Sequence, residues 1–304
     1  MKATTLRIVA ALSCVCTAAF ASDYGELMTA KVKTALGKNA VKGYTFATYP
    51  LDNFGIATAY DGKPGANTQI CATWDCLGLS DDAKVAELTN EQKLNLTVNA
   101  VQYASVGQGT SLTFNDEEKK SLSLNALLPK ILQVLSITGS YSHTNDLTVS
   151  LTMGPAVVRV LRRQQMMDRL NSAQAHPLEK TVWNDGKGNL VLVYSDIVVG
   201  SMTIDIKTNP ATKVDFDAKM AAALSGKVGQ VIGSGSDLGF KVDNASKGEY
   251  KFEINKPLII AVYTRQQPRM GVLGDQKGWS DWKPFDLGPA NRVLAQKVDL
   301  GGSI

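Results

Sequence analysis

The order of local signals predicts an α+β fold: a single domain with a mostly antiparallel (mixed) twisted sheet and several packed helices. Three observations carry that expectation. Apolar and polar residues alternate along Leu94, Leu96, Val98 and Ala100, and again along Leu147, Val149, Leu151 and Met153, the period-two pattern of half-buried strands. Extended segments are joined by short turn-forming connections such as His143-Thr-Asn-Asp146, which favour antiparallel hairpins over crossover helices. Helix-period stretches are interleaved with the strands, and no repeat or low-complexity linker divides the 304 residues.

In chain order, residues 24–42 read as an amphipathic helix with Leu27, Val32, Ala35 and Leu36 on one side, Lys31, Lys33, Lys38 and Lys42 on the rest, and Gly43 as its stop. Gly43 to Tyr60 is rich in Tyr, Thr and Phe and reads as extended, broken at Pro50, with a turn at Asp61–Gly65. A short helix is expected from Ser80 to Leu88, then strands near 93–100, at Ser111–Phe114 and at Leu135–Ser142. Leu124–Val134 is helical in pattern except for Pro129. Leu147–Met153 completes the expected hairpin with Leu135–Ser142. Gly154-Pro155 is taken to open a long helix to about Ala175, because Pro is tolerated at the first helical position. A turn follows at Asn184–Gly188, then an extended stretch to Lys207 whose start, Leu190–Tyr194, is apolar on both faces and so predicted to be central. A helix at Phe216–Leu224 and strands at Glu249–Ile254 and Leu258–Arg265 close the predicted α+β domain, residues 22–265. Residues 266–304 form a Gly/Pro/Trp-rich tail, packed on the domain or partly flexible, with one short helix near Ala290–Gln296.

The first 21 residues carry an address. Lys2 and Arg7 precede a mostly apolar or small stretch, Ile8–Phe20, and Ala19-Phe20-Ala21 is an A-x-A cleavage signal. That run is shorter than the roughly 20 apolar residues a spanning helix needs. The expected product is an exported chain, periplasmic or secreted, cleaved after Ala21. In such a compartment Cys71 and Cys76 read as a local disulfide, worth about 2 kcal/mol for so short a loop in the chain-entropy model.

Charge and chemistry narrow the function classes. Lys plus Arg is 32 against 28 Asp plus Glu, which gives a nucleic-acid partner no support. With two histidines in the whole chain, His143 in a turn and His176 before Pro177, no metal set or Ser-His-Asp arrangement is legible. Gly233–Gly239 places its third glycine one position late for a dinucleotide fingerprint and precedes a strand. No cofactor and no metal is expected. Carboxylate chemistry needs no histidine; Asp52, Asp75, Asp185 and Asp196 are candidates, with Asp196 notable for interrupting an apolar strand.

Two surfaces remain as candidate sites. Trp279, Trp282 and Phe285 form the densest aromatic cluster and could stack on a protein or glycan partner, sit at a membrane surface, or pin the tail to the domain. The alternating hairpin with Ile137, Tyr141, Leu147, Val149 and Leu151 matches membrane-inserting hairpins, in which one face meets lipid and the other water. A soluble sheet with one face on its core gives the same alternation. Three readings follow: an exported, non-enzymatic binding or assembly protein of the periplasm or cell surface; a membrane-acting pore former that inserts the hairpin, with a membrane surface and a homo-oligomer as partners; and a cell-wall or glycan hydrolase using carboxylates.

Overall fold

The structure, a computed structural model, describes residues 20–51, 55–62, 68–71, 103–122, 127–137, 147–162, 190–208, 215–229, 231–232, 239–246, 248–267 and 282–285. Helix α1 is Phe20–Leu36, followed by a 3-10 turn at Lys38–Val41. Met28 and Val32 bury its inner side completely, each contributing about 1.5–3 kcal/mol by leaving water. Gly43 turns the chain with φ +82°, and a Cβ there would lie 2.9 Å from the Tyr263 ring. Both the left-handed backbone and the close approach call for glycine.

Strands β1 (Thr45–Leu51), β2 (Ala59–Asp61), β3 (Thr68–Cys71) and β4 (Tyr103–Thr110) follow. Pro50 does not end β1; a register shift between Phe46 and Leu51 accommodates it against the neighbouring strand. Ser111–Phe114, predicted as a strand, instead leads irregularly into helix α2 (Asp116–Leu122), burying Leu112 and Phe114. Helix α3 is Leu128–Val134, with Pro129 in its first turn where no N–H is missed. Strand β5 is Leu147–Met153 and β6 is Ala156–Leu161. The helix predicted from Gly154 is therefore corrected over Ala156–Leu161. Val157, Val158 and Val160 are β-branched and disfavour helix, and Arg159, expected on the polar side of that helix, is buried. The remainder of that predicted helix, like the predicted elements at 80–88, 93–100 and 290–296, lies outside the described residues.

Strands β7 (Leu190–Val199) and β8 (Met202–Thr208), helix α4 (Asp215–Leu224), and strands β9 (Val231–Ile232), β10 (Phe240–Ser246), β11 (Glu249–Ile254), β12 (Leu258–Gln266) and β13 (Lys283–Phe285) complete the chain. Gly226, at φ +72°, takes the chain out of α4. Every strand pair among the described residues is antiparallel. One sheet has the order β1-β12-β7-β2-β3, with β6 also on β7, β4 on β6, and β13 on β12; the other has the order β5-β8-β11-β10-β9. Central position was correctly expected for β7, which is buried almost throughout.

The two sheets are joined by a ribbon that runs through both. Leu147 pairs with Thr208 and Met153 with Met202 in the second sheet; Ala156 pairs with Val199 and Val160 with Ser195 in the first. The same offset holds on both sides of the corner, so no residue is gained or lost at Gly154-Pro155 opposite Gly200-Ser201. Backbone bonds from Gly154 N–H to Ser201 O (2.8 Å) and from Gly200 N–H to Pro155 O (3.3 Å) carry the ladder across. A Cβ on Gly154 would lie 2.9 Å from Ser201 Oγ and 3.0 Å from its N, which makes glycine the residue that fits. The third strand, β11 into β12, makes the same turn with one extra residue: Ile254 faces Met202 and Leu258 faces Val199. One apolar core, with Met28, Leu122, Ile131, Leu151, Ile204 and Phe252 among its members, lies against these sheets.

Candidate functional site

The outer strands of the ribbon are strictly amphipathic. Leu147, Val149, Leu151 and Met153 of β5 are buried, whereas Thr148, Ser150 and Thr152 are exposed. On β8, Met202, Ile204 and Ile206 are buried, and Thr203 and Asp205 face the other way with exposed Lys207. Tyr250, Phe252 and Ile254 repeat the pattern on β11. The outward face is laced by charge pairs: Lys207 bonds Glu249 across the strands at 3.1 Å, Lys241 bonds Asp243 at 2.8 Å, and Lys251 pairs with Glu253. These pairs hold the Asp243 carboxyl below its ordinary range and raise the Lys241 and Lys251 ammonium groups. The inward face is covered in part by α2, which packs on β5 and is in turn contacted by α1.

Where β6 and β7 meet, two opposite charges interrupt the apolar runs at paired positions. Arg159 and Asp196 are register partners, and Asp196 is completely buried. Arg159 donates from Nε to Asp196 Oδ1 at 2.8 Å and from Nη2 to Oδ2 at 2.5 Å, a two-point contact that fits the planar guanidinium. Ile56 N–H donates to the same Oδ2 at 3.0 Å, tying the loop before β2 to the ion pair. Gly55 lies so close that a Cβ would sit 2.8 Å from Asp196 Oδ2. Ser195 Oγ donates to the Arg159 carbonyl at 2.5 Å, so the Tyr44 hydroxyl, 2.6 Å from Ser195 Oγ, is the donor in that contact. Burial raises the Tyr44 phenol above its ordinary value, and the Asp196 charge adds to this. Tyr44 also packs on Tyr263 (5.6 Å between centroids), Tyr263 on Tyr194, and the Arg265 guanidinium lies 4.8 Å over the Tyr194 ring. The network welds β6, β7, the entry to β1 and the loop at Gly55–Thr58 into one unit. A carboxylate so enclosed meets no substrate. Asp196 lies in a buried ion pair on a central strand and not in a solvent-facing turn, and the β7–β12 register shifts just before it, between Tyr263 and Thr264.

The other predicted residues are dispersed. The alternation of Leu147, Val149 and Leu151 is as expected, and β8 pairs with them; of the expected hairpin partner, Leu135 and Ser136 form a turn after α3, the latter at φ +56°, and residues 138–142 lie outside the described residues. Ile137 packs partly buried on the core, and Tyr141 lies outside the described residues. Trp282 is buried, at 8% exposure, just before β13, which pairs with β12. Phe285 pairs in β13 with Thr264 of β12, and Trp279 lies outside the described residues. Cys71 ends β3, Cys76 is outside, and no disulfide occurs among the described residues. Among the described residues no cluster of His, Cys, Asp or Glu that could hold a metal occurs, and no helix is long and apolar enough to cross a membrane. The Arg159–Asp196 pair went unforeseen, although each strand advertises it by one charge inside a run of Val, Leu and Ile.

No family model and no curated protein matches the sequence. Among solved structures, a bacterial gasdermin from Bradyrhizobium tropiciagri aligns over 75% of this chain and 84% of its own, at 15% identity and a TM-score of 0.31. The reading that follows rests on the geometry of this chain alone.

Proposed function

We propose that the protein acts on membranes, exposing and inserting the amphipathic ribbon built on β5 and β8. The observation that carries this reading is the unbroken register through the corner. A membrane-crossing strand needs about 9–11 residues, more than β5 or β8 has alone. The paired run from Leu147 to Val160 against Ser195 to Thr208 exceeds that length without any change of register. Along β5 and β8, side chains alternate as a lipid-facing and a water-facing surface require, with Val149, Leu151, Ile204 and Ile206 on one side and Thr148, Ser150, Thr203 and Asp205 on the other. In this reading the apolar side, now against the core, turns to lipid after the covering helices move.

The test is dye release from anionic liposomes by residues 22–304, with sedimentation of the same vesicles. Release with co-sedimentation is expected; no release from any anionic composition would overturn the proposal. Charge placed at Val149 or Leu151 is not a clean control, because both are buried in the folded core. Single cysteines at Ser150 and Thr152, labelled with an environment-sensitive dye, report the outward face instead. They should stay accessible to an aqueous quencher after insertion.

A second reading, an exported binding or assembly protein, is favoured by one feature of β5. Residues 147–153 contain no charge, Pro or Gly, and β5 ends its sheet among the described strands. Edge strands are commonly protected by such residues. Concentration-dependent self-association without any vesicle release would support this reading over the first.

A further inference from the structure

Helix α2 lies on the apolar side of β5, and α1 lies on α2 and β1. The tie between the two helices is narrow. Lys31 Nζ is 2.6 Å from Glu118 Oε2, both side chains being about a quarter exposed (24% and 23%), and the same ammonium lies 5.9 Å over the buried Phe114 ring. Glu118 has a second task. Its Oε2 accepts the Asn115 N–H at 2.9 Å while Asn115 Oδ1 accepts the Glu118 N–H at 2.9 Å, a reciprocal cap that starts α2. One carboxylate therefore fixes both the start of α2 and its link to α1. We propose that the Lys31–Glu118 pair is the latch of the cover over β5, and that its opening, which frees α1 from α2, precedes release of the ribbon.

The latch rests on the membrane-acting reading only for what it releases, and the two are tested separately. Glu118→Gln retains an acceptor for Asn115 N–H and so keeps the cap, while removing the charge that Lys31 faces. Lys31→Gln removes the other charge, and Lys31→Arg restores it. Hydrogen exchange of α1 amides in the vesicle-free full chain reads the latch directly. A partly exposed pair is expected to shift the open fraction about two- to fivefold. Both Gln variants should accelerate α1 exchange by that factor with β7 and β12 unchanged, and Lys31→Arg should match the parent. Parent-like α1 exchange in Glu118→Gln would overturn the latch, as would an acceleration shared equally by β7 and β12, which would mark a general loss of stability. Dye release is the second arm: the Gln variants should release at lower protein concentration than the parent. Faster α1 exchange with no release by any variant, parent included, would uphold the latch and remove the membrane-acting reading.

Discussion

Breaking the Arg159–Asp196 pair from one side should be among the most damaging single changes in the described core. In Arg159→Met, the fully buried Asp196 carboxylate loses both guanidinium bonds and keeps only the Ile56 N–H. In Asp196→Leu, a guanidinium at 4% exposure loses both carboxylate bonds and the Ile56 N–H loses its acceptor. Removing one partner of a buried pair typically costs about 3–5 kcal/mol. For a domain of this size each kcal/mol lowers Tm by about 2–4 °C, so a loss of roughly 6–20 °C is expected for either single change. The double variant Arg159→Met with Asp196→Leu leaves no unpaired charge, and desolvation of two ions no longer opposes folding. It should regain most of that loss, retaining only the effect of the orphaned Ile56 N–H, about 1–3 kcal/mol. Urea unfolding of the parent, both single variants and the double variant closes the cycle. A coupling below about 1 kcal/mol would refute the reasoning, because it would mean that neither group depends on the other for its burial.

Four further outcomes follow from the same geometry. Tyr44→Phe removes the hydroxyl bond to Ser195 and should cost about 0.5–1.5 kcal/mol in urea unfolding. Gly154→Ala places a Cβ against Ser201 and should destabilise by about 1–3 kcal/mol, whereas Gly200→Ala, with nothing within 4 Å, should stay within about 0.5 kcal/mol of the parent; equal thermal shifts in the two would contradict the corner as described. Leu151→Ala should cost about 2–5 kcal/mol through loss of a residue 1% exposed, seen as a drop in urea midpoint. The Glu118 carboxyl is held below its ordinary value, first by the bond to Lys31 and then by the Asn115 N–H. Its depressed folded-state pKa means that the contribution is fully present above the unfolded value of about 4.3 and is lost as pH falls through the folded one. Exchange of α1 should therefore quicken only below about pH 4, and Glu118→Gln should abolish that pH dependence.

Fold class was legible because it rests on local period. The β5 alternation, the two-sided burial of β7 and the helical run of α4 each declare themselves within ten residues. The segment after Gly154 misled because two local rules conflict there. Pro155 and the nearby Arg residues fit a helix start and a polar helix face, while Val157, Val158 and Val160 fit a strand, and pairing with β7 decides between them. Partner choice was equally illegible. A short connection before β5 suggested the preceding segment, most of which lies outside the described residues, and the ladder on β8 is made by residues 49 to 61 positions away in sequence.

The candidate site was visible as composition and invisible as geometry for the same reason. Alternation along Leu147–Met153 states that one face is apolar, and a core or a lipid phase accounts for it equally well. The structure supplies two facts that period alone does not contain: the apolar face is already covered, and its strand continues in one register past a glycine corner into a second sheet. Together they separate the demands on the ribbon. Its pairing is strong and continuous, anchored by the buried Arg159–Asp196 contact in the first sheet, while the cover over β5 is tied by the partly exposed Lys31–Glu118 pair. Perturbation should therefore open the cover before it unpairs the strands, which is the order a ribbon must follow if it is to reach a membrane as a formed sheet and not as an unfolded chain.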